Sequence, residues 1–344
     1  MDVSQAGIKA LSQQQIVDLL AEMEQPAFRA KQLVQWIYGR GASTYDEMTN
    51  LSKALRQELS EKAPLRTAEI IDKQVSRDGT RKYVVQFYDG AAVEMVAMPY
   101  EDRMTVCFST QVGCPMACSF CATGKEGFTR NLLPGEMLDQ IIIAEKDMNR
   151  RVSNLVGMGQ GEPLLNYDNV MAALRFANSK DGRGIGARHI TISTCGILKG
   201  IDDFSREKEQ FTLAVSLHSA IQETRDELMP KVANQPLFRL KSALQTYVKR
   251  TGRRVTLEYI MINGYNDDDD HLDALVDFCD DLLCHVNLIP LNNIEGSPWQ
   301  PSSKKQTQKF LNVLNASGTE ATLRDSRGAD IDGACGQLKN KRKQ

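Results

Sequence analysis

Past residue 121 the chain alternates short apolar runs with longer amphipathic ones, and this rhythm restricts the fold more than any other feature. NLVGMG, HITIST, FTLAVSLH, VTLEYIM, HVNLIPL and TEATLRD have the length and apolar content of strands. Between them, LPGEMLDQIIIAEKDMNR, NVMAALRFANS, PLFRLKSALQTYVKR and HLDALVDFCDDLL show helical spacing. Strands joined through helices pair as parallel neighbours. The expectation is therefore an α/β fold: a parallel sheet wrapped by helices, open or closed as a barrel. At 344 residues, 42% of them hydrophobic, the chain is long enough for one large domain with an attachment.

The N-terminal third reads differently. IVDLLAEM, FRAKQLVQWIYGR and LSKALRQELSEKA have helical spacing, interrupted by turns at Gln25-Pro26 and at residues 39–43. TAEIIDKQV, TRKYVVQFY, AAVEMVAMP and RMTVCFST then read as short strands, with hairpin dipeptides at Asp78-Gly79 and Asp89-Gly90. The organisation expected is a helical accessory domain over 1–65 and a β-hairpin linker region over 66–100. A barrel core over 101–337 and a short basic tail over 338–344 complete it. No internal repeat or low-complexity segment stands out, and the acidic run Asp267–Asp270 reads as a solvated loop or helix entry.

Charge and cysteine usage bear on function. The net charge is −2 and the pI about 6.2, so a nucleic-acid partner would have to be met by a local basic patch. No apolar run approaches the roughly 20 residues that span a bilayer, and MDVSQAGIKALSQQQ lacks a signal pattern. A soluble, cytoplasmic protein without membrane partners is expected. In that compartment the eight cysteines read as reduced thiols for metal or catalysis, not as a disulfide framework.

In a (β/α) barrel, reactive residues sit where strands end. Here NLVGMG runs into GQGEPLLN, HITI into STCG, TLAV into SLHS and VNLI into PLNN. Four polar or glycine-containing endings at equivalent places point to one ligand gathered from many strands.

The stretch STQVGCPMACSFCATGKEGFTR sets Cys114, Cys118 and Cys121 close enough for a curled loop to wrap three sulfurs around one centre. Thiolates suit zinc or iron–sulfur chemistry. A structural zinc wants a fourth ligand, yet no Cys or His follows within fifteen residues, and Cys107 lies seven residues upstream on the preceding strand. Three thiolates on a four-iron cube leave one iron open to an outside ligand.

Cys114-x3-Cys118-x2-Cys121 resembles the signature of radical S-adenosylmethionine (SAM) enzymes, in which the free iron is chelated by the amino and carboxylate groups of SAM. VGCPMACSFCATGKEGFTRNL, with MGQGEPLLN, SLH, NLIPLN and DIDGACGQL, resembles the RlmN branch of the RlmN/Cfr family of RNA adenine methyltransferases, from the N-terminal helices to Leu338. The resemblance implies a partial (β/α)6 TIM-type barrel with a small N-terminal helical domain and a β-hairpin extension. It implies a [4Fe–4S] cluster on Cys114, Cys118 and Cys121, and two SAM molecules per turnover. By position, Gly161 and Glu162 would meet the SAM amino group and backbone, and Ser193, Ser216, Leu217, His218 and Asn292 would line the rest. Read singly, Ser193 also fits a helix cap, His218 a satisfied core histidine, and Gly161 with Pro163 a turn. Gln160, Cys195 and the short tail depart from the commonest family pattern.

C2 of adenine lies between two ring nitrogens and is electron-poor, so it does not attack a SAM methyl in a polar displacement; a thiolate does. The resemblance implies that Cys335 takes a methyl from one SAM. A radical made from a second SAM then removes a hydrogen from that methyl, and the carbon radical adds to the base. Cys107 matches the cysteine that releases the product by forming a disulfide with Cys335. Glu94 matches the proton acceptor, although between Val93 and Met95 it also fits the solvent face of a strand. Cys195, Cys279 and Cys284 read as small buried hydrophobes.

The resemblance further implies 23S ribosomal RNA and transfer RNA as substrates, an electron donor such as flavodoxin or ferredoxin, and a monomer. GKEGFTR, SKDGRGIGARH, VKRTGRR and KNKRK are basic segments able to neutralise phosphates. Arg29, Trp36 and Arg40 fall on one helical face, with Lys31 beside it. Three other readings compete: a Cfr-type enzyme that methylates C8, another radical SAM enzyme such as a methylthiotransferase, and a non-enzymatic zinc-binding RNA module.

Overall fold

The structure, a computed structural model, describes residues 2–294 and 296–339. Most of the basic tail, residues 340–344, lies outside the described residues. Ten of the strands form one sheet. β1 (Glu69–Val75), β2 (Arg81–Gln86), β3 (Ala92–Pro99) and β4 (Met104–Cys107) pair as an antiparallel meander. A separate two-stranded ribbon joins β5 (Gln111–Gly113) to β6 (Phe128–Asn131). From β4 the sheet continues through parallel neighbours: β7 (Asn154–Gly157), β8 (Ile190–Thr194), β9 (Thr212–Ser216), β10 (Val255–Met261), β11 (Cys284–Pro290) and β12 (Ala321–Leu323).

Each of the six strands β4 and β7 to β11 is followed by at least one helix before the next strand of the ten-stranded sheet. The principal ones are Pro134–Met148, Tyr167–Asn178, Leu198–Phe204, Leu237–Thr251, Asp269–Cys279 and Lys304–Ala316. This is the expected (β/α)6 repeat, closed off by β12. The described sheet runs in linear order with β1 and β12 at its edges and does not close. Laid flat, its seven parallel-paired strands would hold β4 and β12 roughly 29 Å apart. Cys107 on β4 and Arg324 just past β12 nevertheless line one cavity, so the sheet is curled into an open barrel. Helices on the outer face and the barrel interior on the other explain why the middle of β9 and nearly all of β10 are buried.

The β-hairpin strands expected over 66–100 are present and extend the barrel sheet through β3–β4 pairing, from Val96 opposite Cys107 to Pro99 opposite Met104. One reading is corrected. The helix expected over 28–40 runs as Phe28–Val34 and then loosens into a π-helical turn, Gln35–Gly39. The helices Leu198–Phe204, Gln222–Leu228 and Lys304–Ala316 escaped sequence reading; the first two are only seven residues long, too short for a clear period.

The N-terminal helices are locked to the barrel by a buried ion pair. Lys9 Nζ lies 2.5 Å from Asp139 Oδ1, each side chain 6% exposed. The second Asp139 oxygen accepts the Ala68 N–H at 3.1 Å. Gly135 permits this approach, since a Cβ there would stand 2.2 Å from that of Lys9.

Candidate active site

The cysteine loop leaves β5 through Gly113, whose φ of +73° and contact with the Gly127 carbonyl, 2.0 Å from where a Cβ would stand, admit no other residue. Cys114 donates its N–H to Gly127 O at 2.7 Å, and Cys121 precedes the helix Ala122–Glu126. Gly124 of that helix packs against the Cys118 backbone. Cys114, Cys118 and Cys121 all face one cavity of about 140 Å³.

Burial pushes the Cys114 thiol up to about 12 and the Cys121 thiol up to about 11, with the neighbouring sulfurs adding to both shifts. Three thiolates held here need a cationic centre. Behind the loop, the guanidinium of Arg225 is 1% exposed and its Nε has no hydrogen-bond partner, so the site already holds a buried cation able to face an anionic group. This donor set suits a multi-iron cluster with thiolate ligands.

The ends of successive strands supply the remaining walls of the cavity. Gly161, Glu162, Ser193, Ser216 and His218 line it, as the strand endings predicted. Gly161 needs φ +109° and lies against Gln111, 2.7 Å from where a Cβ would stand. Glu162 is buried, which raises its carboxyl pKa, and it accepts the N–H groups of Leu164 (3.0 Å) and Cys195 (2.7 Å). His218 Nδ1 accepts the Ile260 N–H at 3.1 Å, which fixes the neutral ring with its proton on Nε2, and Phe120 meets the ring edge-on at 4.7 Å. Burial, helped by Arg225, lowers the His218 pKa to about 3. Leu217 is fully buried in the hydrophobic core and takes no part in the lining.

A second cavity of about 210 Å³ adjoins the first and shares Cys121, Thr123, Met158, Gly159, Ile289, Arg324, Cys335 and Gly336 with it. Cys107 and Cys335 both line it, and burial pushes the Cys107 thiol up to about 12, with Cys335 adding to the shift. Asn292 belongs to this second cavity, where its Nδ2 donates to Cys335 O at 3.2 Å.

The reading of Glu94 as solvent-facing is overturned. It is 2% exposed and shares a strand face with Val96 and Met98, both of which line the second cavity. Glu94 itself sits behind that wall, with Lys82 Nζ 3.5 Å away and the Lys339 N–H donating at 2.8 Å. Burial raises its carboxyl pKa, and Lys82 opposes the rise.

Several residues of the site escaped sequence reading. Arg324 lines both cavities, contacts Met158 Sδ at 3.4 Å and stands 3.5 Å from Glu258. It follows β12 directly, so the strand-end rule was the available signal. Glu258 interrupts the apolar strand VTLEYIM and accepts from Asn287 at 2.9 Å; a carboxylate in such a strand marks an inward polar site. Cys195 is not merely a buried hydrophobe: it stands in the wall of the first cavity. Cys279 and Cys284 are buried, as expected.

Several arginines of the basic segments are engaged in ion pairs within the chain, two of them on the surface. Arg130 pairs with Glu136 and Asp89, Arg183 with Glu145, Arg250 with Asp202 and Arg254 with Glu320. On the N-terminal helices, Arg40 stacks over Trp36 at 4.1 Å, and Trp36 Nε1 donates to Asn50 Oδ1 at 2.6 Å. Arg29 also reaches the Asn50 carbonyl, at 3.0 Å. The three side chains thus cluster around Asn50 despite the π-helical turn.

Comparison with known proteins gives the same picture over the whole chain. Residues 7–65 match the family model of the ribosomal RNA large subunit methyltransferase N-terminal domain, and residues 108–276 match that of the radical SAM superfamily. A protein of Flavobacterium psychrophilum named a probable dual-specificity RNA methyltransferase RlmN is 41% identical over 99% of both chains. A Clostridium perfringens protein of the same name is 43% identical over 95% of this chain and 94% of its own. The crystal structure of a radical SAM methyltransferase from Sphaerobacter thermophilus superposes with a TM-score of 0.91 at 42% identity, covering 97% of this chain and 99% of that one.

Proposed function

The chain belongs to the RlmN family of radical SAM RNA methyltransferases, and from that premise we propose that it methylates C2 of adenine through a methylated Cys335. The RNA targets would be one adenine of 23S ribosomal RNA in the peptidyl-transferase region and an anticodon-loop adenine of certain transfer RNAs. The observation that carries the reading is the meeting of Cys335 with Cys107 in one cavity, directly beside the cavity of Cys114, Cys118 and Cys121. A polar methyltransferase has no use for such a second thiol.

Cys114, Cys118 and Cys121 would hold the [4Fe–4S] cluster, and Gly161, Glu162, Ser193, Ser216 and His218 would hold SAM, with the Leu217 backbone between the last two. When bound, cluster and SAM supply first an electrophilic methyl and then, from a second SAM, a hydrogen-abstracting radical. Cys335 is the nucleophile that stores the methyl. Its segment is fixed by Asn292 at one end and by Glu94 through Lys339 at the other. Glu94 would accept the proton lost from the base; its burial moves the carboxyl toward the range where a base works near neutrality. As Glu94 takes the proton, the adduct radical would give up one electron to the one-electron carrier. The Cys107 thiolate then bonds to the Cys335 sulfur, and the sulfur–carbon bond breaks with its electron pair on the carbon. That carbon takes up a proton and stays on the base as the methyl group.

The adenine must leave its stack to present C2, which favours loops and single-stranded segments. The 1–65 domain, with Arg29, Trp36 and Arg40, is the surface proposed for RNA. A monomer in the cytoplasm, served by a one-electron donor such as flavodoxin or ferredoxin, completes the proposal. Digestion of RNA modified by the anaerobically reconstituted enzyme, followed by mass spectrometry against both methyladenosine standards, tests it. Only the C2 product is expected; only the C8 product would reassign the chain to the Cfr type.

A further inference from the structure

Four cations converge on a groove that the methyl transfer does not use. The groove, about 650 Å³, lies where the N-terminal helices meet the barrel, with Arg40 on one side and Arg150, Arg151 and Lys180 on the other. Arg40, Arg151 and Lys180 are exposed and Arg150 is half-buried. Among the described residues none of the four forms an ion pair, whereas Arg130, Arg175, Arg250 and Arg254 each face a carboxylate. The two carboxylates on the lining are already engaged, Glu145 with Arg183 and Asp181 with Gln35 and Lys31.

The groove is built in advance of any ligand. Arg183 Nη1 donates to the carbonyls of Tyr38 at 2.9 Å and Gly39 at 3.1 Å, and Gln35 Nε2 donates to Asp181 Oδ1 at 2.9 Å. Gly39 lets the two parts close, since a Cβ there would stand 2.9 Å from the Asp181 carbonyl oxygen. Three of the cations are held in place. Arg40 stacks on Trp36, Arg151 Nη2 donates to the Arg183 carbonyl at 2.7 Å, and Arg150 Nη2 donates to the Glu101 carbonyl at 3.0 Å. These bonds order the guanidinium groups and leave their charges uncompensated. Like charges gathered in a concavity repel one another and attract an anion.

The place of the groove in the fold decides which anion fits. Arg150 and Arg151 lie in the loop that enters β7, and Lys180 in the loop that leads to β8, so the groove sits at the strand entries. The cysteine cavity is lined from the strand exits, by Met158 after β7 and Ser216 at the end of β9. A strand of the length of β8, five residues, separates the two ends by about 17 Å before its loops are counted. An electron donor has to approach the cluster, and the target base has to enter the cavity of Cys335, so the groove serves neither. A polyanion can reach both ends, and RNA carries a phosphate at every nucleotide.

We propose that this groove anchors the phosphate backbone of the substrate RNA at a segment remote from the modified adenine. The guanidinium groups pair with phosphate oxygens and Lys180 adds a mobile point charge. Such contacts fix position and affinity and carry no sequence information. Arg40 joins the groove to the face of Arg29 and Trp36, so one basic track runs from the N-terminal helices onto the barrel. The inference rests on the reading of transfer RNA as a substrate.

The test is filter binding of a whole unmodified transfer RNA transcript, and of its isolated anticodon stem-loop, to the full-length protein over a range of salt concentrations. Wild type, K180Q and the double variant R151Q/K180Q are compared, and Arg183 is left in place because it ties the two parts together. Losing both cations is expected to lower the slope of log affinity against log salt by about 1.5 and to weaken transcript binding roughly thirtyfold at about 0.1 M salt. The KM for the transcript should rise more than kcat falls. K180Q alone is expected to give about half of the slope change, and it carries the test if the double variant does not fold. The stem-loop is expected to bind all three proteins alike. A double variant with wild-type affinity and slope for the transcript would overturn the site. Equal losses for transcript and stem-loop would overturn it too, by placing these contacts beside the target base. So would unchanged RNA binding with slower reduction by flavodoxin, which would give the groove to the electron donor. Wild type with no salt-dependent affinity for either RNA would instead sink the reading of transfer RNA as a substrate, and the inference with it.

Discussion

Asn292 Nδ2 donates to the carbonyl of Cys335 at 3.2 Å, and this bond belongs to a stitching that places a segment with no regular structure of its own. Ala122 N–H donates to Gly336 O at 2.7 Å, Thr123 Oγ1 to Leu338 O at 2.6 Å, Gln337 Nε2 to Asn293 O at 2.9 Å and Lys339 N–H to Glu94 at 2.8 Å. The end of β11, the helix after the cysteine loop, and β3 thus hold Cys335 jointly. A single hydrogen bond of this kind contributes about 1 kcal/mol. Asn292→Ala is accordingly expected to slow methylation of Cys335 by roughly five- to tenfold, read by mass spectrometry of the Cys335 peptide. An unchanged rate would remove Asn292 from the positioning of this segment.

Cys335→Ala is expected to abolish turnover while the iron and sulfide content stays at the wild-type level. Cys107→Ala is expected to stall after addition and leave protein joined to RNA, visible as a slow-migrating band on a denaturing gel. Free, fully methylated RNA from either variant would contradict the assigned role.

Glu94→Gln keeps the size of the side chain and removes the base, so a rate loss of about 10²-fold or more is expected. Lys82, 3.5 Å away, opposes the burial that raises Glu94. Lys82→Met removes that opposition, so the Glu94 pKa should rise further and the acid limb of the pH–rate profile should move to higher pH. A limb that stays in place would mean that a different group controls it.

His218 links pH to stability. Its pKa is lowered to about 3 in the folded protein, chiefly by burial, whereas the unfolded ring titrates near 6.5. Between those values the unfolded state binds the extra proton, so stability falls as pH drops from about 6.5 towards 3. Urea unfolding of wild type and His218→Gln across that window should show a shallower acid loss in the variant.

The Lys9–Asp139 pair tests how the N-terminal helices are attached. Asp139→Asn leaves the Lys9 cation buried, 6% exposed in the present structure, and is expected to destabilise the protein by about 3 kcal/mol. Replacing both by apolar residues, Lys9→Met with Asp139→Leu, should cost far less. Equal losses in the two urea titrations would show that the charge pair is not what matters.

Much of this protein could be read in one dimension. The alternation beyond residue 121, the three loop cysteines and the four strand endings are local patterns, and each is imposed by short-range geometry: helix period, strand length, and the reach of a loop. They sufficed for the barrel and for most of the residues that line the first cavity. What folding alone decided depends on residues far apart in sequence that the curled sheet brings together. Arg324 entering both cavities, Arg225 reaching the Cys195 carbonyl, and Glu94 turned inward near Lys82 have no periodic signature. Each side chain takes its character from neighbours supplied by other strands, and burial and charge at a point in space are sums over those neighbours.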